Sequence, residues 1–212
     1  MHDTSEIRIV GLGGSLAEYS TSRSALSVAL DGARDAGGSN RSVETRLFDV
    51  REMNLPMYDP DGSDAPEAAR VLAEATREAH GMIWSSPLYH GTVSGTFKNA
   101  LDWLQLLARA EPPYLTNKVI GLASVAGGVQ GLQAVNTMEF IVRALRGWAV
   151  PLVVPVPRAH EAFDAEGRVT DESVREQLQG LGAEVVHAAQ QFEREGTCDY
   201  ADMGASTASV EA

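Results

Sequence analysis

The chain is predicted to be an α/β protein, with a doubly wound, five-stranded parallel sheet that carries helices on both faces. Segments of strand and helix character alternate along the chain, which is typical of parallel sheets. The first strand segment, IRIVGLGG at 7–14, is apolar on both faces, as a buried parallel strand requires. No repeat or change of composition marks a linker. We therefore expect one domain over residues 1–195 and a disordered acidic tail over 196–212.

The first half of the chain supplies two strands and two helices. A helix follows the strand at 7–14, with apolar residues at helical spacing and the pair Gly37 and Gly38 as its end. The second strand, SVETRLFDV at 42–50, alternates between polar and apolar residues. Residues 51–66 contain Pro56, Pro60 and Pro66 and are predicted to form a loop whose length suggests a function. A helix is expected over 65–79.

The second half continues the alternation. The third strand, GMIWSS at 81–86, is predicted to end at Pro87, and the helix after it carries Phe97, Leu101, Leu104 and Ala108 on one face. The fourth strand covers 118–125 and is followed by a helix at 132–145. Proline interrupts the fifth strand, 149–156, so we place that strand at an edge of the sheet. The last helix covers 171–194.

Composition excludes several classes of protein. The formal net charge of −12 opposes binding to nucleic acid. Mean hydropathy is −0.13, and no apolar run approaches the roughly 20 residues that span a bilayer, so no membrane partner is expected. The one cysteine, Cys198, allows neither an internal disulfide nor a thiolate metal cluster. The N-terminus shows no leader pattern, and the prediction is a cytoplasmic protein.

The first loop, GGSLAEYSTSRSAL at 13–26, is rich in hydroxyl groups. It lacks the third glycine of the dinucleotide fingerprint and the lysine of a phosphate-binding P-loop. Hydroxyls and free backbone N–H groups at a helix N-terminus favour a phosphate group. The alternative is that one serine only caps the helix, but this loop offers several hydroxyls: Ser15, Ser20, Thr21, Ser22 and Ser24.

Two further loops follow the third and fourth strands. In the second loop, Tyr89 and His90 offer flat faces with polar edges, and Gly91 allows a close approach of the backbone to a flat ligand. Taken singly, His90 is as readily a structural residue. In the third loop, Gly127 and Gly128 either form a simple turn or present backbone N–H groups to a ring. Together the three loops indicate a mononucleotide with an aromatic base, at the carboxyl edge of the sheet.

These residues resemble the NADPH-dependent FMN reductase family of the flavodoxin-like superfamily, which includes quinone, azo and chromate reductases. The resemblance rests on GGS after the first strand, SSPLYHGTVSGTFKNALDWL at 85–104 and AGG at 126–128. It covers roughly residues 6–190 and implies FMN as cofactor, NADPH or NADH as co-substrate and a homodimer or homotetramer. The first-loop spacing looks most like reductases that supply two-component alkanesulfonate monooxygenases, although Ala17 stands where relatives often have arginine.

The resemblance also implies site residues. Ser15, Ser20 and Ser22 are expected to hold the phosphate, with Thr21 beside them. The ribityl chain and the isoalloxazine ring would be lined by Pro87, Leu88, Tyr89, His90 and Gly91. The pyrimidine edge of the ring would meet Ser124, Gly127 and Gly128. No catalytic side chain and no metal are expected, because hydride transfer between nicotinamide and flavin needs no protein acid or base.

The expected function is an NAD(P)H-dependent FMN reductase that transfers hydride to the flavin N5. Its substrates are NAD(P)H, flavin and, in one alternative, a quinone, and a monooxygenase could receive the reduced flavin. Two alternatives stay open at this point. The same fold could hold FMN tightly and reduce quinones, azo dyes or chromate, or it could act as a flavodoxin-type electron carrier without enzymatic activity.

Overall fold

The computed structural model describes residues 6–37, 41–62 and 64–194. Strands and helices alternate in the order β1 (Ile7–Gly13), α1 (Thr21–Ala36), β2 (Val43–Asp49), α2 (Val50–Met53), α3 (Glu67–Glu78), β3 (Gly81–Tyr89), β4 (Thr92–Val93), α4 (Gly95–Asp102), β5 (Val119–Val125), α5 (Leu132–Ala144), β6 (Trp148–Val156), α6 (Ala159–Ala162) and α7 (Glu172–Arg194). A 3-10 helix, Trp103–Leu107, continues α4. The predicted tail at 196–212 lies outside the described residues.

The sheet has the predicted doubly wound topology. Five parallel strands lie in the order β2-β1-β3-β5-β6, which confirms the fold class and the edge position of the last strand. The chain winds from β1 to one edge and from β3 to the other. The carboxyl ends of β1, β3 and β5 are therefore neighbours at the centre of the sheet, where ligands of such folds bind.

The strand β3 is longer than predicted. Pro87 does not end it, because the strand continues to Tyr89 and pairs with the short antiparallel strand β4. A proline fixes φ near −65°, which extended backbone tolerates, and it removes only one donor. Pro87 is buried opposite Val125 of β5. The β3–β4 hairpin thus adds a sixth strand to the five that the sequence predicts.

Two apolar cores lie on the two faces of the sheet. One core joins α3, α4 and α5 to the sheet through residues that include Leu12, Trp84 and Leu122. The other joins α1 and α7 through residues that include Ile9, Ile83 and Val125. Consecutive strand residues point to opposite faces, which explains the continuous apolar pattern of the central strands.

Smaller differences from the prediction concern short elements. The predicted loop 51–66 contains the end of the one-turn helix α2, which the Asp49 carboxylate caps by accepting from Arg51 N at 2.9 Å. The last two residues of the apolar face predicted after β3 lie outside α4. Leu104 belongs to the 3-10 helix, and Ala108 lies just beyond that helix and is half-buried. These changes leave the loops at the carboxyl edge where the sequence places them.

Candidate functional site

Three loops meet at the carboxyl edge of β1, β3 and β5, and we call residues 14–20, 87–92 and 126–131 together the rim. Glycines allow the first loop to leave β1 close to β3. A Cβ at Gly13 would lie 2.2 Å from the carbonyl oxygen of Ser85, so a larger residue cannot occupy this position without a shift of the backbone. Gly14 has φ +98°, a conformation that other residues rarely adopt.

Three serine hydroxyls form a buried chain at the N-terminus of α1. Ser15 Oγ donates to Ser20 Oγ at 3.1 Å, and the hydroxyls of Ser20 and Ser22 lie 3.1 Å apart. Ser20 also caps α1, because its Oγ accepts from Arg23 N at 3.2 Å. The cap and the hydroxyl cluster are therefore one arrangement. Thr21 is half-buried beside it.

Backbone donors surround this serine chain. In the described part of the chain, the N–H groups of Leu16, Glu18, Tyr19, Thr21 and Ser22 have no hydrogen-bond acceptor. The last two belong to the first turn of α1, whose dipole attracts negative charge. Neutral hydroxyls and N–H groups without a partner suit a phosphate, so the donor set fits the group that the sequence predicts.

The nearby cations are already engaged. Arg23 Nε lies 2.8 Å from the buried Asp49 carboxylate, and its Nη2 lies 3.5 Å from Glu52. Arg51 donates through Nη1 to the carbonyl of Leu16 at 3.1 Å, so it braces the first loop. An anion bound at the serine chain would therefore depend mainly on neutral donors.

The second loop is the two-residue turn of the β3–β4 hairpin. His90 and Gly91 both have positive φ, +50° and +85°, which is the backbone of the turn that best fits hairpin twist. This turn explains why Gly91 is needed, independently of any ligand. Tyr89 is 50% exposed and His90 is also exposed, whereas Leu88 is half-buried.

The third loop returns from β5 to α5. The Ser124 side chain is fully buried, and its Oγ donates to the carbonyl of Gly131 at 2.7 Å, which closes the loop at its base. Gly127 and Gly128 are exposed, and a Cβ at Gly127 would meet nothing within 4 Å. A larger residue would therefore fit at Gly127. Because neither glycine has a side chain, the backbone of this loop is accessible.

Large apolar side chains are exposed on and next to the rim. Leu16 and Tyr19 are 60% and 61% exposed in the first loop, and Val129 is 69% exposed in the third. Tyr89 in the second loop is 50% exposed, so each of the three loops presents exposed apolar or aromatic surface. A polar anion cradle beside exposed apolar and aromatic side chains suits a ligand with a phosphate at one end and a flat ring at the other.

Two serines that hold the site in place, Ser85 and Ser86, were not predicted. Ser85 Oγ donates to the carbonyl of Ser22 at 2.8 Å, which ties β3 to α1. Ser86 Oγ accepts from Ser94 N at 3.0 Å, and Ser94 caps α4. The serine pair that ends the third predicted strand was the available signal, because hydroxyls are rarely placed in a buried strand without partners.

Asn99 anchors the long loop that precedes α3. Its Nδ2 donates to the carbonyl of Pro56 at 2.8 Å, and its Oδ1 accepts from Tyr58 N at 2.8 Å. Trp103 Nε1 donates to the same Pro56 carbonyl at 3.0 Å, and the Tyr58 ring packs edge-on against Trp103. The asparagine and tryptophan of the FKNALDW segment thus position the loop. Lys98 and Asp102 form an exposed ion pair on the same helix.

The described residues contain no group of three or more His, Cys, Asp or Glu side chains that could hold a metal ion. Within the same ranges, no helix combines the length and the apolar character needed to cross a bilayer. Two cavities, of about 710 and 440 Å³, lie away from the serine chain.

A doubly wound sheet with an anion cradle and an apolar rim at its carboxyl edge defines a nucleotide-binding protein of the flavodoxin-like class. Residues 7–161 match the NADPH-dependent FMN reductase family, and the chain therefore belongs to that family. The protein is an oxidoreductase, with FMN and NAD(P)H as its cofactors.

Individual relatives agree with this assignment. The chain is 30% identical over 185 residues to the NADPH-dependent FMN reductase ArsH of Shigella flexneri, covering 87% of this chain and 69% of the relative. It is 30% identical over 130 residues to the FMN-dependent NADPH-azoreductase of Staphylococcus aureus, covering 59% and 66%. The fold matches FerB, a flavoenzyme NAD(P)H:(acceptor) oxidoreductase from Paracoccus denitrificans, with a TM-score of 0.70 at 23% identity, covering 88% and 98%.

Proposed function

We propose that the rim binds FMN with its phosphate on the serine chain of α1. The observation that carries the proposal is the buried cluster of Ser15, Ser20 and Ser22 next to N–H groups that lack acceptors. Thr21 adds a half-buried hydroxyl at the same helix end. A phosphate there would accept from several neutral donors and would lie at the positive end of the helix dipole.

The remaining predicted residues would hold the flavin ring and its ribityl chain. The exposed Tyr89 and His90 are available to contact the ring, and Pro87, Leu88 and Gly91 shape the hairpin that carries them. Backbone donors of Gly127 and Gly128 would face the pyrimidine edge. Ser124 would act indirectly, because its hydroxyl is buried and closes the third loop.

When bound, FMN would supply the redox chemistry, which is hydride transfer between NAD(P)H and the flavin. The residues of this chain would bind and orient both molecules, and the apolar side chains of the rim would shield them from water. We assign no side chain a proton-transfer role, because the transfer itself needs none.

We infer that FMN exchanges with solution rather than staying permanently bound. The anion site relies on neutral donors, since Arg23 is paired with Asp49 and Glu52. The net charge of −12 also opposes a phosphate. An exchanging flavin can leave in its reduced form, which would allow the protein to supply reduced FMN to a two-component monooxygenase.

A homodimer or homotetramer in the cytoplasm is part of the same proposal. The exposed apolar side chains Met57 and Leu106, next to α4, would be covered by a second copy. Size-exclusion chromatography with light scattering measures the number of copies directly.

A second candidate is a reductase that keeps FMN and passes electrons to an azo dye or a quinone. The similarity to the Staphylococcus aureus azoreductase supports it, together with the exposed apolar surface of the rim, which could stack a flat acceptor. Membership of an FMN reductase family counts against a carrier without enzymatic activity.

Steady-state oxidation of NADPH and of NADH by the purified protein tests these functions. We expect turnover only with added FMN, a lower kcat/KM with riboflavin, which lacks the phosphate, and a colourless protein after dialysis. A yellow protein that reduces quinones or azo dyes without added FMN would favour the second candidate. An absence of NAD(P)H oxidation with every acceptor would refute both.

A further inference from the structure

An open groove of about 710 Å³ lies between the C-terminal end of α5 and the first residues of the edge strand β6. Because α5 starts at the carboxyl edge of the sheet, its C-terminal end lies at the opposite edge from the rim. The groove is lined by residues that include Phe140, Arg143, Arg146 and Trp148. Phe140 is 72% exposed and Trp148 is 56% exposed, which is unusual for large aromatic side chains.

Two arginines of the groove have no carboxylate partner among the described residues. Within the described residues, neither Arg143 nor Arg146 forms an ion pair, whereas Arg77, for example, pairs with Glu74. Glu139 is the acidic residue of the groove lining. Unpaired guanidinium groups beside exposed aromatic rings suit a partner that combines negative charge with apolar side chains.

The backbone gives a second indication that the arginine side chain matters. α5 ends with Arg146 N donating to the carbonyl of Arg143 and Gly147 N donating to that of Val142. In this type of helix end the residue at the position of Arg146 is left-handed, and glycine is strongly preferred there. Arg146 has φ +66°, and the glycine follows one position later. The chain thus keeps an arginine where the backbone favours glycine, which points to a role for the side chain.

We propose that this groove binds the segment 195–212 of the same chain. The segment carries Glu195, Asp199, Asp202 and Glu211 and has neither lysine nor arginine. Tyr200 and Met203 lie next to two of these carboxylates and provide apolar side chains for Phe140 and Trp148. The charge and the apolar character of the segment therefore complement those of the groove.

The course of the chain brings this segment to the groove. The Phe192 ring, near the end of α7, lies 5.6 Å from the Trp148 ring, centroid to centroid. The segment therefore begins beside a residue that lines the groove. Asp199 follows Phe192 by seven positions, which span at most about 25 Å, so the acidic residues can reach the groove that both arginines line. The proposal is independent of the flavin site.

Acrylamide quenching of tryptophan fluorescence tests the proposal, because Trp148 is the exposed tryptophan, whereas Trp84 is 0% and Trp103 is 6% exposed. We expect a chain that ends at Arg194 to show a quenching constant about twofold higher than the full chain, because the segment no longer covers Trp148. A synthetic peptide of residues 195–212 should restore the shielding. The variant Trp148→Phe should remove the difference between the two chains.

Charge variants test the role of the arginines. The double variant Arg143→Ala/Arg146→Ala of the shortened chain should bind the peptide about tenfold more weakly, and the matched control Arg109→Ala should bind it normally. In the full chain, Asp199→Asn/Asp202→Asn should raise the quenching constant. Equal quenching of the full and shortened chains would overturn the proposal. Shielding that survives truncation and grows with protein concentration would also overturn it, in favour of a second copy.

Discussion

The serine chain leads to a prediction for the double variant Ser15→Ala/Ser22→Ala. Both hydroxyls are buried, and each forms a hydrogen bond with the Ser20 hydroxyl. Each hydroxyl would exchange a neutral hydrogen bond for a bond to a charged phosphate, a net gain of about 1 kcal/mol. The loss of both therefore raises the free energy of FMN binding by about 2 kcal/mol, which corresponds to a Kd about 30-fold higher.

Fluorescence titration of FMN and of riboflavin measures this effect. The variant should bind riboflavin as the unchanged protein does, because riboflavin has no phosphate. The variant Ser20→Ala serves as a contrast, since it removes the cap of α1 and should lower the free energy of unfolding by about 1 kcal/mol. Equal losses of FMN and riboflavin affinity, or no loss for either, would refute the assignment of the phosphate to this cluster.

Three further predictions concern stability, each measured by urea unfolding. Burial lowers the pKa of Lys118 from 10.5 to about 8, so the unfolded chain binds more protons than the folded chain between these pH values. The free energy of unfolding should therefore rise by about 2 kcal/mol from pH 7.5 to 10. A rise of equal size in the variant Lys118→Met would contradict this. Asn99→Ala should lower the free energy of unfolding by about 2 kcal/mol, because Tyr58 N loses its acceptor and the Pro56 carbonyl loses one donor. Trp103→Phe removes the other donor of that carbonyl and should lower the free energy of unfolding by less. Arg146→Gly should stabilise the fold by about 1 kcal/mol by relieving the left-handed backbone, and a loss of stability would show that the side chain supports the fold itself.

The topology was predictable because buried parallel strands and amphipathic helices leave clear patterns in a sequence. The apolar run of β1, the alternation of β2 and the prolines of β6 each placed a strand correctly. The β3–β4 hairpin was missed because its signal is weak. Its turn is His90-Gly91, and histidine is a less common first residue of such a turn than asparagine or aspartate.

The candidate site was predictable at the level of loops and less so at the level of contacts. Clustered hydroxyls after β1 indicated an anion site, and the structure brings Ser15, Ser20 and Ser22 together. The sequence could not show that Arg23 is neutralised by Asp49, because that pair joins residues far apart in the chain. The anchoring of the Pro56 carbonyl by Asn99 depends on the same kind of long-range contact.

The internal hydrogen bonds of the serine chain bear on how tightly FMN would be held at the proposed site. Ser20 caps α1 and also joins Ser15 to Ser22, so the folding of the helix sets the positions of the hydroxyls without a ligand. A preformed cradle saves the entropy of ordering the loop on binding. At the proposed site, a phosphate would have to replace the same internal hydrogen bonds, and Arg23 would not compensate for them, because it is held by Asp49. An organised but neutral cradle therefore favours rapid and reversible binding, which a protein that treats FMN as a substrate requires.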